Sequence, residues 1–281
     1  EDFPSYVIKK DDFLYVSLKD ARVGEGGGVA SYHIEEDDLK QLSFYNSHGR
    51  SYTHLCLSPD QKYLFTANYH VGATAAFPLK DHKIGDKLSV VHHHGSGIDL
   101  LKSPEEEEEH DHHHHHHPGG VDPHTWSSIS GAKVIAKNTL DAFVSLDPEN
   151  KEYYQANYEQ LTKEIGETEK TVSGLLHSLD NKTFIIYHPA LTYLANEYGL
   201  TQLCIEMDGK EPSPAQLKEL VETAREHNAK VVFIQREFDQ KNAELIAKET
   251  GCRLIPINPL DYDWSKEMIH IAKSLADGQA D

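Results

Sequence analysis

Residues 184–188, Phe184-Ile185-Ile186-Tyr187-His188, decide the fold of the carboxyl-terminal half of the chain. Four consecutive apolar residues are typical of a fully buried strand, and similar runs occur at residues 203–206, 231–234 and 254–257. Helix signals separate these runs, since Ser213-Pro214-Ala215-Gln216 combines a capping box with proline at the first helical position. Strands that alternate with helices predict an α/β lobe with a four-stranded parallel sheet, doubly wound by helices.

Two helices are predicted before this sheet. The first covers residues 127–146 and ends at Asp147-Pro148, and the second covers residues 149–179 with apolar side chains spaced by three and four. A helix of about thirty residues is ~45 Å long, which is more than the width of a small domain. Two interpretations remain open: an ordinary amphipathic helix, or a rigid linker between two lobes.

Polar side chains follow each predicted strand. In doubly wound sheets, ligands bind beyond the carboxyl ends of the strands. The residues at those positions are His188, Glu206, Glu211, Gln235, Glu237, Asn258 and Asp261. A single histidine at a strand end is commonly structural, but here several carboxylates share the same edge and another histidine, His124, precedes the sheet. Together these residues indicate a metal site.

A second metal-binding pattern lies between residues 105 and 126, EEEEEHDHHHHHHPGGVDPHTW. A packed core does not accept this composition, because each buried carboxylate or imidazole would need a partner. Six consecutive histidines resemble a purification tag, but tags lie at termini and this run is internal. We therefore predict a solvated loop that acts as a low-affinity collector or sensor of zinc. Its accessory ligands are His110, His112, His113, His114, His115, His116 and His117.

The overall composition narrows the class of partner. With 46 acidic against 27 basic residues the net charge is −19, which disfavours nucleic acid and favours cations. The three cysteines form no CxxC pair, so neither a disulfide framework nor a thiolate zinc site is expected. The sequence contains no run of eighteen apolar residues, so no membrane span is predicted. The first residues do not read as a signal peptide, so the chain is expected to be intracellular or already processed.

The first ninety-odd residues are predicted to be all-β. Short apolar runs at residues 13–17, 29–34 and 63–68 are separated by turn residues. The series FLYVS, GGVASYHI and DDLKQL returns about 50 residues later as YLFTAN, GATAAFPL and KIGDKL, a period typical of β-propeller blades. The segment is therefore predicted to contain about two blades.

Residues 58–70, SPDQKYLFTANYH, resemble a signature of the seven-bladed β-propeller lactonases, the 6-phosphogluconolactonase-like enzymes, and HHGSG at residues 93–97 is similar to a second segment of that family. The resemblance covers about a third of the chain and implies a sugar-lactone hydrolase. Two blades cannot close a ring that needs at least ~4. We expect an incomplete and inactive fragment.

The remaining motifs point to a different family. In order along residues 121–275, the motifs VDPHTW, TFIIYHPALTYLANEYGL, EPSPAQL and INPLDYDW resemble the zinc/manganese-specific substrate-binding proteins of ABC transporters, of the zinc-uptake type in cluster A-I. The resemblance implies a non-enzymatic protein, periplasmic or anchored at the cell envelope, that delivers Zn²⁺ to the membrane permease. Histidine ligands and a His-rich loop favour zinc over Mn²⁺.

The resemblance also implies the ligands. His124 matches the histidine of the family's DPH motif and His188 matches the histidine of its YH motif, whereas the last ligand is a carboxylate near the sequence NPL. Asn258 stands where many members have aspartate, and Asp261 stands where another branch has glutamate. Because a neutral amide is a poor zinc ligand, Asp261 is the predicted third ligand. The source of the fourth stays open among Glu211, the loop, water and the histidines His70, His92, His93 and His94.

The two resemblances together predict a hybrid, since propeller-like sequence stands where the transport family has its amino-terminal lobe. The predicted parts are a β segment, an acidic His-rich loop, a helical region and an α/β metal-binding lobe, at residues 1–97, 98–120, 121–179 and 180–281. A natural fusion, an engineered chain and a sequence-assembly artefact remain open as its origin. Hydrolysis at a zinc ion has little support, because no HExxH motif is present.

Overall fold

The computed structural model describes residues 3–19, 27–36, 38–47, 52–68, 73–86, 89–92, 122–206, 212–235, 238 and 240–278. The chain divides into two compact units, Glu1–Gly95 with Lys137–Tyr158 and Ser96–Ala136 with Glu159–Asp281. The four-part division of the sequence stays a prediction. None of the helices in the described ranges combines the length and the apolarity that a membrane crossing requires.

The first unit contains two antiparallel sheets. In one, strands β1 to β4 are neighbours in chain order, with the bounds Phe3–Lys10, Phe13–Lys19, Gly28–Glu35 and Asp38–Asn46. In the other, β5, β6, β7 and β8 follow one another and β9 also pairs with β7, with the bounds His54–Leu57, Tyr63–Asn68, Ala73–Lys80, Lys83–Ile84 and Ser89–His92. The strands predicted at residues 13–17, 29–34 and 63–68 are confirmed. That these sheets are propeller blades stays a prediction.

Apolar side chains from both sheets form one core. Tyr15 and Val29 come from the first sheet, Leu64 and Phe77 come from the second, and all four are fully buried. Side chains on a strand alternate between its two faces, so Phe65 lies on the opposite face of β6 from Leu64. A separate cluster of apolar side chains covers that face.

Two helices follow, and their extents are close to the prediction. Helix α1 is Ile129–Leu146 and helix α2 is Lys151–Leu176, with short 3-10 helices at Thr125–Ser127 and Pro148–Asn150. Helix α1 begins two residues later than predicted because Ser128 is in an extended conformation. Helix α2 has 26 residues and is therefore ~39 Å long.

Parts of these helices cover the outer face of the second sheet within the first unit. Phe65 stacks on Phe143 of α1 with ring centroids 4.5 Å apart, and Tyr154 of α2 contacts both rings. The hydroxyl of Tyr154 donates a hydrogen bond to the buried carboxylate of Asp147, at 2.7 Å. The residues between the helices are thereby anchored in the core of this unit.

The second unit confirms the predicted parallel sheet. Its strands β10, β11, β12 and β13 have the bounds Thr183–Ile186, Thr201–Cys204, Val231–Gln235 and Arg253–Ile257 and lie in the order β11-β10-β12-β13. Helices α3 to α6 alternate with the strands, with the bounds Thr192–Tyr198, Pro214–Glu226, Gln240–Thr250 and Trp264–Asp277. The predicted capping box at Ser213 is present, with both of its hydrogen bonds.

Both faces of this sheet are buried, as the continuous apolar strands predicted. Phe184 and Ile186 pack on one side with residues of α2, α3 and α6, whereas Ile185 and Tyr187 pack on the other side with residues of α4 and α5. Burial of each such side chain stabilises the fold by about 1.5–3 kcal/mol. The chain leaves β10 for β11 on one side and then crosses to β12 on the other, so the topological switch point lies at the carboxyl end of β10.

Candidate metal site

Two histidines meet at this switch point. His188 follows β10 by two residues, and His124 precedes the 3-10 helix Thr125–Ser127. Although they are 64 positions apart in the chain, their Nε2 atoms are separated by only 3.3 Å. The ring planes make an angle of 74°, so the rings meet edge to face rather than in a stack. The two histidines singled out from the sequence are therefore neighbours in the fold.

The other nitrogen of each ring contacts a carboxylate. Nδ1 of His124 lies 2.7 Å from Oδ1 of Asp122, and Nδ1 of His188 lies 2.9 Å from Oε2 of Glu206. An ionised carboxylate only accepts hydrogen bonds, so each Nδ1 carries a proton, and in a neutral ring Nε2 then presents a lone pair. Two lone pairs that face each other at 3.3 Å can bind one cation between them. Carboxylates behind histidine ligands are the usual arrangement around a bound metal.

The Asp122 carboxylate is almost fully buried. Burial by itself would raise the pKa of Asp122, but the hydrogen bonds from the ring and the backbone N–H of His124 outweigh it and lower the pKa. Asp122 thus stays ionised near neutral pH. The hydroxyl of the buried Tyr193 also donates to the backbone carbonyl of Asp122, at 2.8 Å, which holds this segment in place.

The histidine pair opens into a cavity of about 190 Å³. The residues that line it are His124, Trp126, His188, Ala190, Gln235, Phe238, Pro259 and Leu260. The amide of Gln235 holds the backbone of His188 at both polar groups: it donates to the carbonyl at 2.8 Å and accepts from the N–H at 3.3 Å. Phe238 stacks on the ring of His188. Gln235 and Phe238 therefore hold His188 in place, and Nε2 of His188 faces His124.

The predicted third ligand lies on the exposed loop that contributes Pro259 and Leu260 to the cavity. The carboxylate of Asp261 accepts hydrogen bonds from the Asn258 side-chain amide at 3.1 Å and from the backbone N–H of Asp263 at 3.0 Å. In the described part of the chain, no three histidine, cysteine or acidic side chains lie close enough together to hold one ion. Coordination by Asp261 or Asn258 stays a prediction.

Several candidates lie outside the described residues. These are Glu211, Glu237, His70, His93, His94 and the loop histidines His110, His112, His113, His114, His115, His116 and His117. The strand β9 ends at His92, but its side chain is outside the description as well.

Sequence reasoning identified some of the supporting residues without their roles. Glu206 and Gln235 were expected at the strand ends, but the hydrogen bonds that each makes to His188 follow only from the packing. Asp122 and Trp126 were missed, although both belong to the VDPHTW motif. An acidic residue two positions before a predicted histidine ligand is a signal that points to such support, because its side chain can bend back to the ring.

Two known protein families match parts of this chain. A family described as zinc-uptake complex component A, periplasmic, matches residues 66–278. A second family, the seven-bladed β-propeller lactonases, matches residues 1–125. The first match includes the histidine pair, both carboxylates and the whole parallel sheet.

Individual relatives are named for zinc. The chain is 37% identical over 187 residues to the high-affinity zinc uptake system protein ZnuA of Bacillus subtilis (strain 168), which covers 66% of this chain and 59% of that protein. It is 28% identical over 149 residues to the zinc-binding protein AdcA of Streptococcus pyogenes serotype M3, covering 52% of this chain and 29% of that protein. A crystal structure of ZnuA is similar with a TM-score of 0.54 and 35% identity, covering 56% of this chain and 62% of that one. The chain spans less than two thirds of each relative.

Proposed function

Because this chain belongs to the periplasmic zinc-uptake complex component A family, we propose that it captures Zn²⁺ and delivers it to the membrane permease of an ABC transporter, without catalysing a reaction. The observation that carries the proposal is the 3.3 Å between Nε2 of His124 and Nε2 of His188. Two nitrogens bound at ~2.0–2.1 Å to one tetrahedral zinc ion are about 3.3–3.4 Å apart. The observed separation therefore matches the spacing of two imidazole nitrogens bound to one zinc ion.

The surroundings of the pair favour zinc. Neutral imidazoles suit zinc better than Mn²⁺, which prefers oxygen ligands. The carboxylates of Asp122 and Glu206 orient the rings, and their negative charge also attracts a cation. The side chain of His124 is 13% exposed and that of His188 is 26% exposed, so an ion reaches them from the cavity.

We propose Asp261 as the third ligand, with Asn258 as the residue that orients its carboxylate. Support comes from the position of both residues on the loop that contributes Pro259 and Leu260 to the cavity. Zinc accepts four ligands, so one place is left for water, for Glu211 or for a loop histidine. We assign His110 and the run of histidines at residues 112–117 to low-affinity collection of zinc.

The proposed location is extracytoplasmic, either in the periplasm or at the cell envelope. The family description itself includes the word periplasmic. A net charge of −19 suits a protein whose cargo is a cation. We also propose the four-part division at residues 1–97, 98–120, 121–179 and 180–281, with the β segment built of two propeller blades.

A lactonase is the second candidate, because a lactonase family matches residues 1–125 and two antiparallel sheets occur in that region. A closed propeller needs at least ~4 blades, and we propose only two here. We expect no hydrolysis of a sugar lactone such as 6-phosphogluconolactone by the purified chain. Turnover well above the spontaneous rate would overturn the non-enzymatic assignment.

Calorimetric zinc titration of the metal-stripped chain tests the proposed function. We expect one strong site above a background of weak ones, and we expect the strong site to disappear in the double variant His124→Ala, His188→Ala. Deletion of residues 105–117 is the matched control and leaves the strong site. Weak binding alone that the double variant does not change would overturn the proposal.

A further inference from the structure

The loop that carries Asp261 is attached at both ends to a single residue beside the histidine pair. This loop, residues 258–263, connects β13 to α6. Near its start, the carbonyl of Pro259 accepts a hydrogen bond from the indole N–H of Trp126, at 2.9 Å. Just after its end, the indole N–H of Trp264 donates to the backbone carbonyl of Trp126, at 2.7 Å. We call Trp126 and Trp264 the indole clamp.

The clamp also touches the site directly. Trp126 follows His124 by two residues, lines the cavity, and has its ring centroid 5.4 Å from that of His124. The same residue that fixes the loop therefore contacts one of the proposed ligands. A displacement of the loop and a displacement of the ligand segment are coupled through it.

Hydrogen bonds inside the loop pass this constraint to Asp261. The backbone N–H of Asn258 donates to the carboxylate of Glu267 in α6 at 2.7 Å. The backbone carbonyl of Asn258 accepts from the N–H of Asp261 at 2.8 Å. The Asn258 amide and the Asp263 N–H then hold the two oxygens of the Asp261 carboxylate. The backbone and the carboxylate are both fixed relative to α6, and α6 is fixed to Trp126.

We propose that Trp126 and Trp264 are positioning residues for zinc binding, which set the position of the Asp261 loop relative to His124 and His188. The inference rests on the proposed function. The free energy of binding is reduced by the entropy cost of ordering a ligand loop, so a loop that is already fixed before binding gives a higher affinity. Neither indole is itself a ligand, because an indole N–H only donates and is already engaged with a carbonyl.

A purely structural role is the competing explanation, in which the clamp only attaches α6 to the unit. The two explanations differ in whether the clamp acts through Asp261. If it positions Asp261, removal of the clamp has no further effect on zinc affinity once Asp261 is gone. If it is only structural, the two losses are independent and multiply.

The test is a double-variant cycle with Trp264→Phe, which keeps the ring but removes the N–H, and Asp261→Ala. Zinc affinity of the full chain is measured by competition with a chromophoric chelator, and thermal unfolding of the metal-free proteins reports the fold. We expect Trp264→Phe to weaken zinc binding about three- to tenfold, the size of one neutral hydrogen bond. We expect the combined variant to bind as weakly as Asp261→Ala and no more weakly.

A matched control and a second readout complete the experiment. Tyr198→Phe removes the hydrogen bond between the Tyr198 and Ser173 hydroxyl groups, away from the loop, and we expect it to leave zinc affinity unchanged. With Co²⁺ in place of zinc, the visible absorption bands report coordination, and Trp264→Phe shifts them in the same direction as Asp261→Ala. Should Trp264→Phe unfold, Trp126→Phe removes the other bond of the clamp and gives the same comparison.

Two results would overturn the positioning role of the clamp. One is wild-type zinc affinity in a folded Trp264→Phe variant, and the other is losses of affinity that multiply in the combined variant. These outcomes are distinct from a failure of the proposed function. That function fails when the wild-type chain binds no zinc, or when His124→Ala with His188→Ala leaves binding unchanged, and the role of the clamp fails with it.

Discussion

Oε2 of Glu206 lies 2.9 Å from Nδ1 of His188, eighteen residues earlier in the chain. The two residues follow adjacent parallel strands, β10 and β11, so the sheet itself brings them together. The contact determines which nitrogen of His188 faces the cavity. Without it, the ring could present either nitrogen.

We expect Glu206→Ala to weaken zinc binding by about 10–100-fold, the usual effect of removing a carboxylate behind a histidine ligand. The ring of His188 would lose the hydrogen bond that sets its orientation. Competition titration of the metal-stripped variant measures the change. Glu226→Ala, at an exposed position at the end of α4, is the control and should bind zinc as the wild type does. Equal affinities for both variants would contradict the assigned role of Glu206.

The loop histidines should contribute to the number of weak sites and not to the strong one. We expect replacement of the histidines at positions 110 and 112–117 by serine to remove weak zinc binding while the dissociation constant of the strong site stays within about twofold, a change of less than 0.5 kcal/mol. The reason is that Asp122 and Glu206 already orient the histidine pair. Calorimetry resolves the two classes of site. Loss of the strong site in this variant would show that a loop histidine is an essential ligand.

The contacts of Asp60 predict that the stability of the first unit depends on pH. Burial would raise the pKa of its carboxyl, but hydrogen bonds from Ser58 and Lys62, together with the charge of Lys62, lower the pKa to about 2. A lowered folded-state pKa stabilises the fold at pH values above the ordinary pKa of about 3.9, and this stability is lost as the pH falls toward 2. The contribution of such an exposed group is about 0–1 kcal/mol.

Urea unfolding of the wild type and of Asp60→Asn between pH 2 and pH 6 checks this expectation. The wild type should be more stable at pH 6, and the difference should shrink toward pH 2, where the aspartate becomes protonated. A difference that stays constant across this range would mean that the Asp60 charge has no part in it.

Tyr154→Phe should destabilise the first unit by about 1–3 kcal/mol, because the buried carboxylate of Asp147 loses a hydrogen-bond donor. Chemical unfolding followed by circular dichroism measures the loss. Tyr153→Phe is the matched control, since the neighbouring Tyr153 is half exposed and its substitution should change stability by less than about 0.5 kcal/mol. Equal effects of the two variants would contradict the importance of the Asp147 hydrogen bond.

Local patterns were sufficient for the four strands of the second unit and for the start of α4. The apolar run at residues 184–187 predicted β10 within one residue, and Ser213 predicted the start of α4, because burial and capping depend on side chains close together in the chain. The predicted ends of the elements were less accurate. Helix α1 begins later than predicted because Ser128 is extended. The strands at residues 13–17, 29–34 and 63–68 followed from the same kind of local pattern, but the assignment of their sheets to a propeller depends on contacts with further blades.

The sequence by itself determined which residues to expect at the site: His124 and His188 follow from motifs, and the acidic, histidine-rich composition favours a cation as the ligand. Only the tertiary structure decided that the two Nε2 atoms are 3.3 Å apart, that Asp122 and Glu206 hold the opposite nitrogens, and that Trp126 connects the site to the Asp261 loop. The reason is physical. Strand and helix patterns repeat over a few residues, whereas the strand order and the meeting of residues 64 or 133 positions apart depend on how the whole sheet and its helices pack.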